Sequence, residues 1–159
     1  MILRLVHPAR KLSGPLDEAA RDYQKRLSRH HRVDERLVKP ARISQETPAA
    51  IRGAVETEGG RLLEAVGPRD TLIALEVTGE SWSSEELAKR LNGWMNSGAR
   101  AIVFALGGPW GLSDPVRRAA RSSLSLGPLT LPHELARVVL WEQLYRAGTI
   151  LRGEPYHKG

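Results

Sequence analysis

The run Ala101-Ile102-Val103-Phe104-Ala105-Leu106 is apolar at all six positions and ends directly at Gly107-Gly108. A segment this short, stopped by glycine, reads as a strand buried on both faces. Three other short segments read as strands: Ile2–Val6, Val33–Val38 and Thr71–Val77. Helical patterns separate them. Pro15–Arg32 places Leu16, Ala20, Tyr23 and Leu27 on one face. Pro48–Val66 opens on a Thr47 N-cap with Pro48 at the first helical position, although Gly59-Gly60 weakens its second half. Ser83 and Glu86 form an S-x-x-E capping box for a helix that runs to about Ser97 and stops at Gly98. Ser113-Asp114-Pro115 starts a helix that ends near Arg121, and an extended piece covers Leu124 to Leu131. Pro132 opens the last helix, which ends near Thr149. Strands that alternate with helices predict an α/β fold, a parallel sheet flanked by helices, in one domain over residues 1–159.

The last helix is apolar almost all round. Leu135, Val138 and Val139 lie on one side, and Leu140, Trp141, Leu144 and Tyr145 occupy most of the rest. Such a helix must be covered on every side. A homodimer interface is the expected cover, with the N-terminal helix as the other possibility.

The net charge of +6 favours a polyanionic partner, nucleic acid first. Arg21, Lys25, Arg29 and Arg32 form a basic stripe on the first helix that suits phosphates or simply solvent. The chain has no cysteine, which excludes disulfides, thiolate nucleophiles and Cys-based zinc sites. No apolar run reaches the ~18 residues of a membrane span, and no segment reads as a signal peptide. A cytoplasmic protein without membrane contact is expected. The five histidines have no metal-ligand spacing, so no metal is expected. Phosphate-loop, dinucleotide and nucleophile-elbow motifs are absent.

What remains is loop chemistry where open α/β sheets bind ligands, beyond the carboxyl ends of the strands. Gly107 and Gly108 lack a Cβ, so a ligand can approach the backbone. Leu126-Gly127-Pro128-Leu129-Thr130-Leu131 is apolar yet cannot form a regular helix. It suits the faces of an adenine ring, with backbone groups at the ring edge. The tail Pro155-Tyr156-His157-Lys158-Gly159 is placed to close such a pocket.

These segments, together with Leu129-Thr130-Leu131-Pro132-His133 and the Glu142-Gln143-x-Tyr145-Arg146-Ala147 helix, resemble the RlmH group of SPOUT-class methyltransferases. The resemblance covers essentially the whole chain. It implies a parallel α/β fold whose C-terminal part threads a loop as a trefoil knot, and a homodimer. It implies S-adenosylmethionine as cofactor and methylation at N3 of a pseudouridine of 23S rRNA in the assembled ribosome. Carried across by position, Leu75, Gly107, Gly108 and the loop Leu126, Gly127, Pro128, Leu129, Thr130 and Leu131 would bind the cofactor. His133, Arg137, Tyr156 and His157 would serve the substrate side. One position departs: Trp110 stands where the group commonly has Glu, so any acid role there is in doubt.

The imide nitrogen must lose its proton before it attacks. His157 is the expected general base, since its ordinary pKa of about 6.5 lies near working pH. Arg137 is expected to stabilise charge on the uracil-like oxygens. His133 is expected either at the substrate or as a capping or core histidine. Glu142 and Arg146, four residues apart, are expected as an ion pair. Two rivals stand beside this reading: a non-enzymatic basic RNA-binding protein, and a knotted methyltransferase acting on a tRNA base.

Overall fold

The computed structural model describes residues 1–159. The elements run β1 (Ile2–Pro8), α1 (Pro15–Leu27), β2 (Arg32–Val38), α2 (Pro48–Glu64), β3 (Thr71–Ser81), α3 (Ser84–Asn96), β4 (Ala101–Leu106), α4 (Asp114–Ala119), β5 (Ser122–Ser125) and α5 (His133–Arg152). The strands form one sheet in the order β2-β1-β4-β3-β5, and every pairing is parallel. The alternation of the sequence is thus realised as expected.

Side chains on a strand point alternately to its two faces. Leu3, Leu5, Ile73, Leu75, Ile102 and Phe104 face α1, α3 and α5. Val6, Leu72, Ala74, Val103 and Ala105 face α2 and α4. Both capping expectations hold: the Ala50 N–H donates to Thr47 Oγ1 at 3.1 Å, and the Ser83–Glu86 box is complete.

Several boundaries differ from expectation. α1 stops at Leu27, not Arg32, because the chain must turn back so that Arg32 can pair with Ile2. Arg29 and Arg32 therefore lie outside α1, and the basic stripe keeps only Arg21 and Lys25. α2 runs straight through Gly59-Gly60. A Cβ on Gly59 would lie 2.1 Å from Ser113 Oγ, so this glycine lets α2 pack closely against the start of α4. β3 continues past Val77 to Ser81. The extended piece expected over Leu124–Leu131 is instead a strand at Ser122–Ser125 followed by an irregular loop. Gly127 at φ 127° and Pro128, which has no N–H, prevent a longer ladder. α5 persists to Arg152 and ends on Gly153 at φ 67°.

α5 is covered within its own chain. Leu140, Trp141, Leu144 and Ala147 share a core with Ala20 and Leu27 of α1 and with Leu87 and Leu91 of α3. The all-round apolar character that suggested a partner subunit is thus largely accounted for by α1 and α3. No helix is long and apolar enough to cross a membrane.

Candidate active site

Beyond the carboxyl ends of β3 and β4 lies a cavity of about 830 Å³. Small-molecule sites typically enclose roughly 300–1,000 Å³. Leu75, where β3 stops pairing with β4, and Leu106, the last residue of β4, lie in its lining. The glycine loop, the loop after β5 and the first turn of α5 supply most of the remainder.

The glycine loop is a tight turn. Gly108 and Gly111 bridge across it, and the Gly111 N–H donates to the Gly108 carbonyl at 3.1 Å. A Cβ on Gly107 would lie 2.6 Å from the Gly111 backbone, so closure of the turn requires glycine. A Cβ on Gly108 would lie 2.7 Å from Glu58 Oε2. Gly107 is thus required by the turn itself, and Gly108 by the Glu58 carboxylate packed against it. Trp110 is half-buried on this turn and does not line the cavity.

The second loop is pinned by Ser125. Its hydroxyl accepts from the Gly127 N–H at 3.1 Å and donates to the Val77 carbonyl at 2.9 Å, with the Gly127 carbonyl at 3.0 Å as the alternative acceptor. This holds the Leu126–Leu131 segment against the end of β3. Leu129 is 76 % exposed and stands at the mouth of the cavity.

His133 begins α5 and lines the cavity. Its Nδ1 lies 3.2 Å from the Gly107 carbonyl, which can only accept, so Nδ1 carries a proton. Its Nε2 lies 2.6 Å from His7 Nδ1, and His7 Nε2 lies 2.9 Å from Glu35 Oε1. Burial alone would raise the pKa of Glu35, but hydrogen bonds from Arg137 and His7 bring it down to about 2. An ionised carboxylate also only accepts. With an acceptor at each end of the chain, one of the two rings must be an imidazolium. Burial lowers the pKa of His133, and the neighbouring charge on His7 lowers it further. His7 itself is fully buried.

Arg137 does not face the cavity. It is 1 % exposed. Its Nε and Nη2 donate to the two oxygens of Glu35 at 2.5 and 2.8 Å, and Nη1 lies 2.9 Å from Asp17 Oδ1. Burial pushes the Asp17 carboxyl up, but Arg21 and Arg137 outweigh this and hold it below its usual range. Nε and Nη2 are thus taken up by Glu35, and Nη1 faces Asp17 inside the protein without a hydrogen bond.

The tail also lies elsewhere. Tyr156 Oη donates to Glu142 Oε1 at 3.1 Å, and its ring meets Tyr145 edge-on at 4.8 Å. Burial first, then Tyr23 and Glu142, push its phenol above the usual range. His157 Nε2 lies 2.7 Å from Glu85 Oε1, and Nδ1 lies 3.4 Å from Arg146 Nη1. Glu142 and Arg146 form the expected ion pair. At 1.5 Å of rise per residue these contacts sit about 14–20 Å along α5 from His133.

The structure therefore gathers Leu75, Gly107, Gly108, Leu126, Gly127, Leu129, Thr130, Leu131 and His133 around one cavity. It places Pro128, Arg137, Tyr156 and His157 outside that lining. Within its own chain the tail packs on α5 and the start of α3. Sequence reasoning missed Glu58, His7, Glu35 and Asp17. A histidine near the end of β1 was the only available signal for the buried chain, and Glu58 gave none. A second, shallower cleft of about 670 Å³ adjoins the cavity at Pro40 and presents Lys39, Arg42 and Arg61.

The family model described as "Predicted SPOUT methyltransferase" matches residues 1–157. Ribosomal RNA large subunit methyltransferase H of Maridesulfovibrio salexigens is 44 % identical over 92 % of both chains. The protein of that name from Hahella chejuensis is 39 % identical over 99 % of both. That from an Anaeromyxobacter species is 43 % identical over 99 % of this chain and 100 % of its own. Among solved structures, a probable methylase family protein from Haemophilus influenzae superposes with a TM-score of 0.60. It is 18 % identical and covers 99 % of this chain and 70 % of that one.

Proposed function

The chain belongs to the SPOUT methyltransferase family, and we propose that it methylates N3 of a pseudouridine in 23S rRNA, in the assembled ribosome, as a homodimer. It is an S-adenosylmethionine-dependent rRNA methyltransferase, like the relatives it matches over nearly its whole length. The cofactor supplies an electrophilic methyl group on a cationic sulfur.

One observation carries the reading. A single cavity joins a glycine turn that presents backbone to an apolar, non-helical loop, as an adenosine group requires. Leu126, Gly127, Leu129, Thr130 and Leu131 would enclose the base; Leu75, Gly107 and Gly108 would line the path toward the methyl group. His133 grips the Gly107 carbonyl and so fixes the turn. The basic cleft beside Pro40 offers Lys39, Arg42 and Arg61 to phosphates of the RNA.

The tail supports the dimer. Tyr156 and His157 sit too far along α5 to reach the cavity of their own chain. In a homodimer that sets two α5 helices side by side in opposite directions, His157 of one protomer would act as base at the cavity of its partner. Arg137 acts at a distance from the substrate: it holds Glu35, which holds His7 and His133. The implied knot belongs to the same proposal. Leu124 pairs with both Leu75 and Glu80, and a Cβ on Gly79 would lie 2.8 Å from the Leu124 backbone, so β5 passes tightly against the end of β3.

Calorimetric titration with S-adenosylmethionine and S-adenosylhomocysteine tests the reading. Saturable binding of both is expected. A folded protein that binds neither, yet binds RNA in a salt-sensitive manner, would indicate a non-enzymatic RNA-binding protein instead.

A further inference from the structure

The cavity lining contains three side chains with permanent acid or base character besides His133: Glu58, Glu76 and Arg117. Glu76 and Arg117 neutralise each other, with Arg117 Nε 2.5 Å from Glu76 Oε2. Glu58 has no such partner. It projects from the middle of α2, is only 5 % exposed, and takes part in no ion pair. One oxygen, Oε1, accepts the Ala41 N–H at 3.0 Å. The other, Oε2, has no hydrogen-bond donor and lies against the backbone of Gly108, at the wall of the cavity.

A buried carboxylate without a counter-charge is expensive, because the loss of hydration is not repaid by attraction. A cation that enters the cavity would supply that attraction in a poorly screened setting. Resting on the cofactor reading above, we propose that Glu58 is the counter-charge for the cationic part of S-adenosylmethionine. Glu58 Oε2 reaches into the space that a Cβ on Gly108 would take, so the missing Cβ lets the carboxylate come up against the turn that would hold the ligand.

Where the sulfonium is the group that Glu58 faces, the consequence is discrimination between cofactor and product. Transfer forms a bond from N3 to the methyl carbon and breaks the carbon–sulfur bond, whose electron pair stays on sulfur. The imide proton passes to the base. Sulfur is then neutral, Glu58 loses part of its attraction, and the product cofactor leaves more readily.

The test compares Glu58→Gln with the wild-type protein. Glutamine keeps an oxygen for the Ala41 N–H, so the fold is retained, and the thermal midpoint checks this. Three ligands are titrated calorimetrically: S-adenosylmethionine, S-adenosylhomocysteine and 5′-methylthioadenosine, which lacks the amino-acid portion and the sulfonium charge. The variant is expected to bind S-adenosylmethionine about ten-fold or more weakly, with methylthioadenosine unchanged. If only S-adenosylmethionine weakens, the sulfonium is the partner; if S-adenosylhomocysteine weakens equally, the partner is the α-ammonium. Both outcomes support the proposal. It is overturned if S-adenosylmethionine affinity is unchanged, or if methylthioadenosine weakens to the same extent. Failure of the wild-type protein to bind any of the three would reject the cofactor reading itself.

Discussion

His7 Nδ1 and His133 Nε2 lie 2.6 Å apart, and the acceptors beyond them, the Gly107 carbonyl and Glu35, oblige one ring of the pair to be charged. A buried proton thus links β1 to the glycine turn of the cavity. Replacing His7 with Phe removes the donor to Glu35 and the partner of His133. Each buried group left unpaired costs about 1–3 kcal/mol. Urea unfolding of His7→Phe should show a loss of that order, together with weaker cofactor binding. A variant as stable as wild type would show that the chain of hydrogen bonds contributes nothing.

Glu35 sets the acid limit of the fold. Its folded pKa of about 2 lies below the ordinary 4.5. The unfolded chain therefore takes up this proton first as pH falls. The stabilisation is fully present above pH 4.5 and is lost as pH approaches 2. It amounts to on the order of 3 kcal/mol. His133, whose pKa is also lowered, begins the same decline below its ordinary 6.5. Chemical denaturation from pH 7 to pH 3 should show this slope in the wild-type protein and a flatter one in Glu35→Gln.

Arg137 should behave as a structural residue. Arg137→Met leaves Glu35 and Asp17 as buried carboxylates without their shared cation. Breaking a buried ion pair from one side typically costs about 3–5 kcal/mol. The midpoint of thermal unfolding should fall sharply, and lost activity should track lost fold. A stable Arg137→Met protein with normal cofactor affinity and no turnover would instead restore Arg137 to the substrate.

Gly107→Ala probes the turn. The added Cβ would meet the Gly111 backbone at 2.6 Å, and a backbone has nowhere flexible to yield. Cofactor affinity should drop by at least ten-fold while far-ultraviolet circular dichroism stays unchanged. Undiminished affinity would remove the turn from the site.

Removal of Tyr156 to Gly159 separates binding from chemistry. The cavity lining lacks all four residues, so S-adenosylmethionine affinity should be retained. Turnover should vanish. Mixed dimers of truncated chains and chains with a damaged glycine turn should recover part of the activity, because one cavity would then meet an intact tail from its partner. Full activity after truncation would reject the role of the tail.

The sequence made some of this legible and hid the rest for definite reasons. Strong periodicity and capping residues exposed β1, β4, α2 and α3, since both signals are local. The cavity walls were visible because Gly107-Gly108 and Leu126–Leu131 combine apolar residues with backbone-shaping ones. The extension of β3 through Thr78-Gly79-Glu80-Ser81 was hidden, because those residues carry no apolar alternation and pair only through contact with β5. The buried charges were hidden for a similar reason. Asp17 and Glu35 carried no local signal, and Arg137 was expected at the substrate, whereas three separate elements bring the three together. Apolar periodicity correctly required that α5 be covered, but it could not say that α1 and α3 supply much of that cover.

The most direct test is transfer of a labelled methyl group from S-adenosylmethionine to ribosomes that lack this modification, with the product mapped by nuclease digestion and mass spectrometry. The predicted result is one label in 23S rRNA, on N3 of a pseudouridine, absent when the Tyr156–Gly159 tail is removed. A protein that binds the cofactor but labels neither ribosomes nor free rRNA, or that labels tRNA instead, would contradict the account.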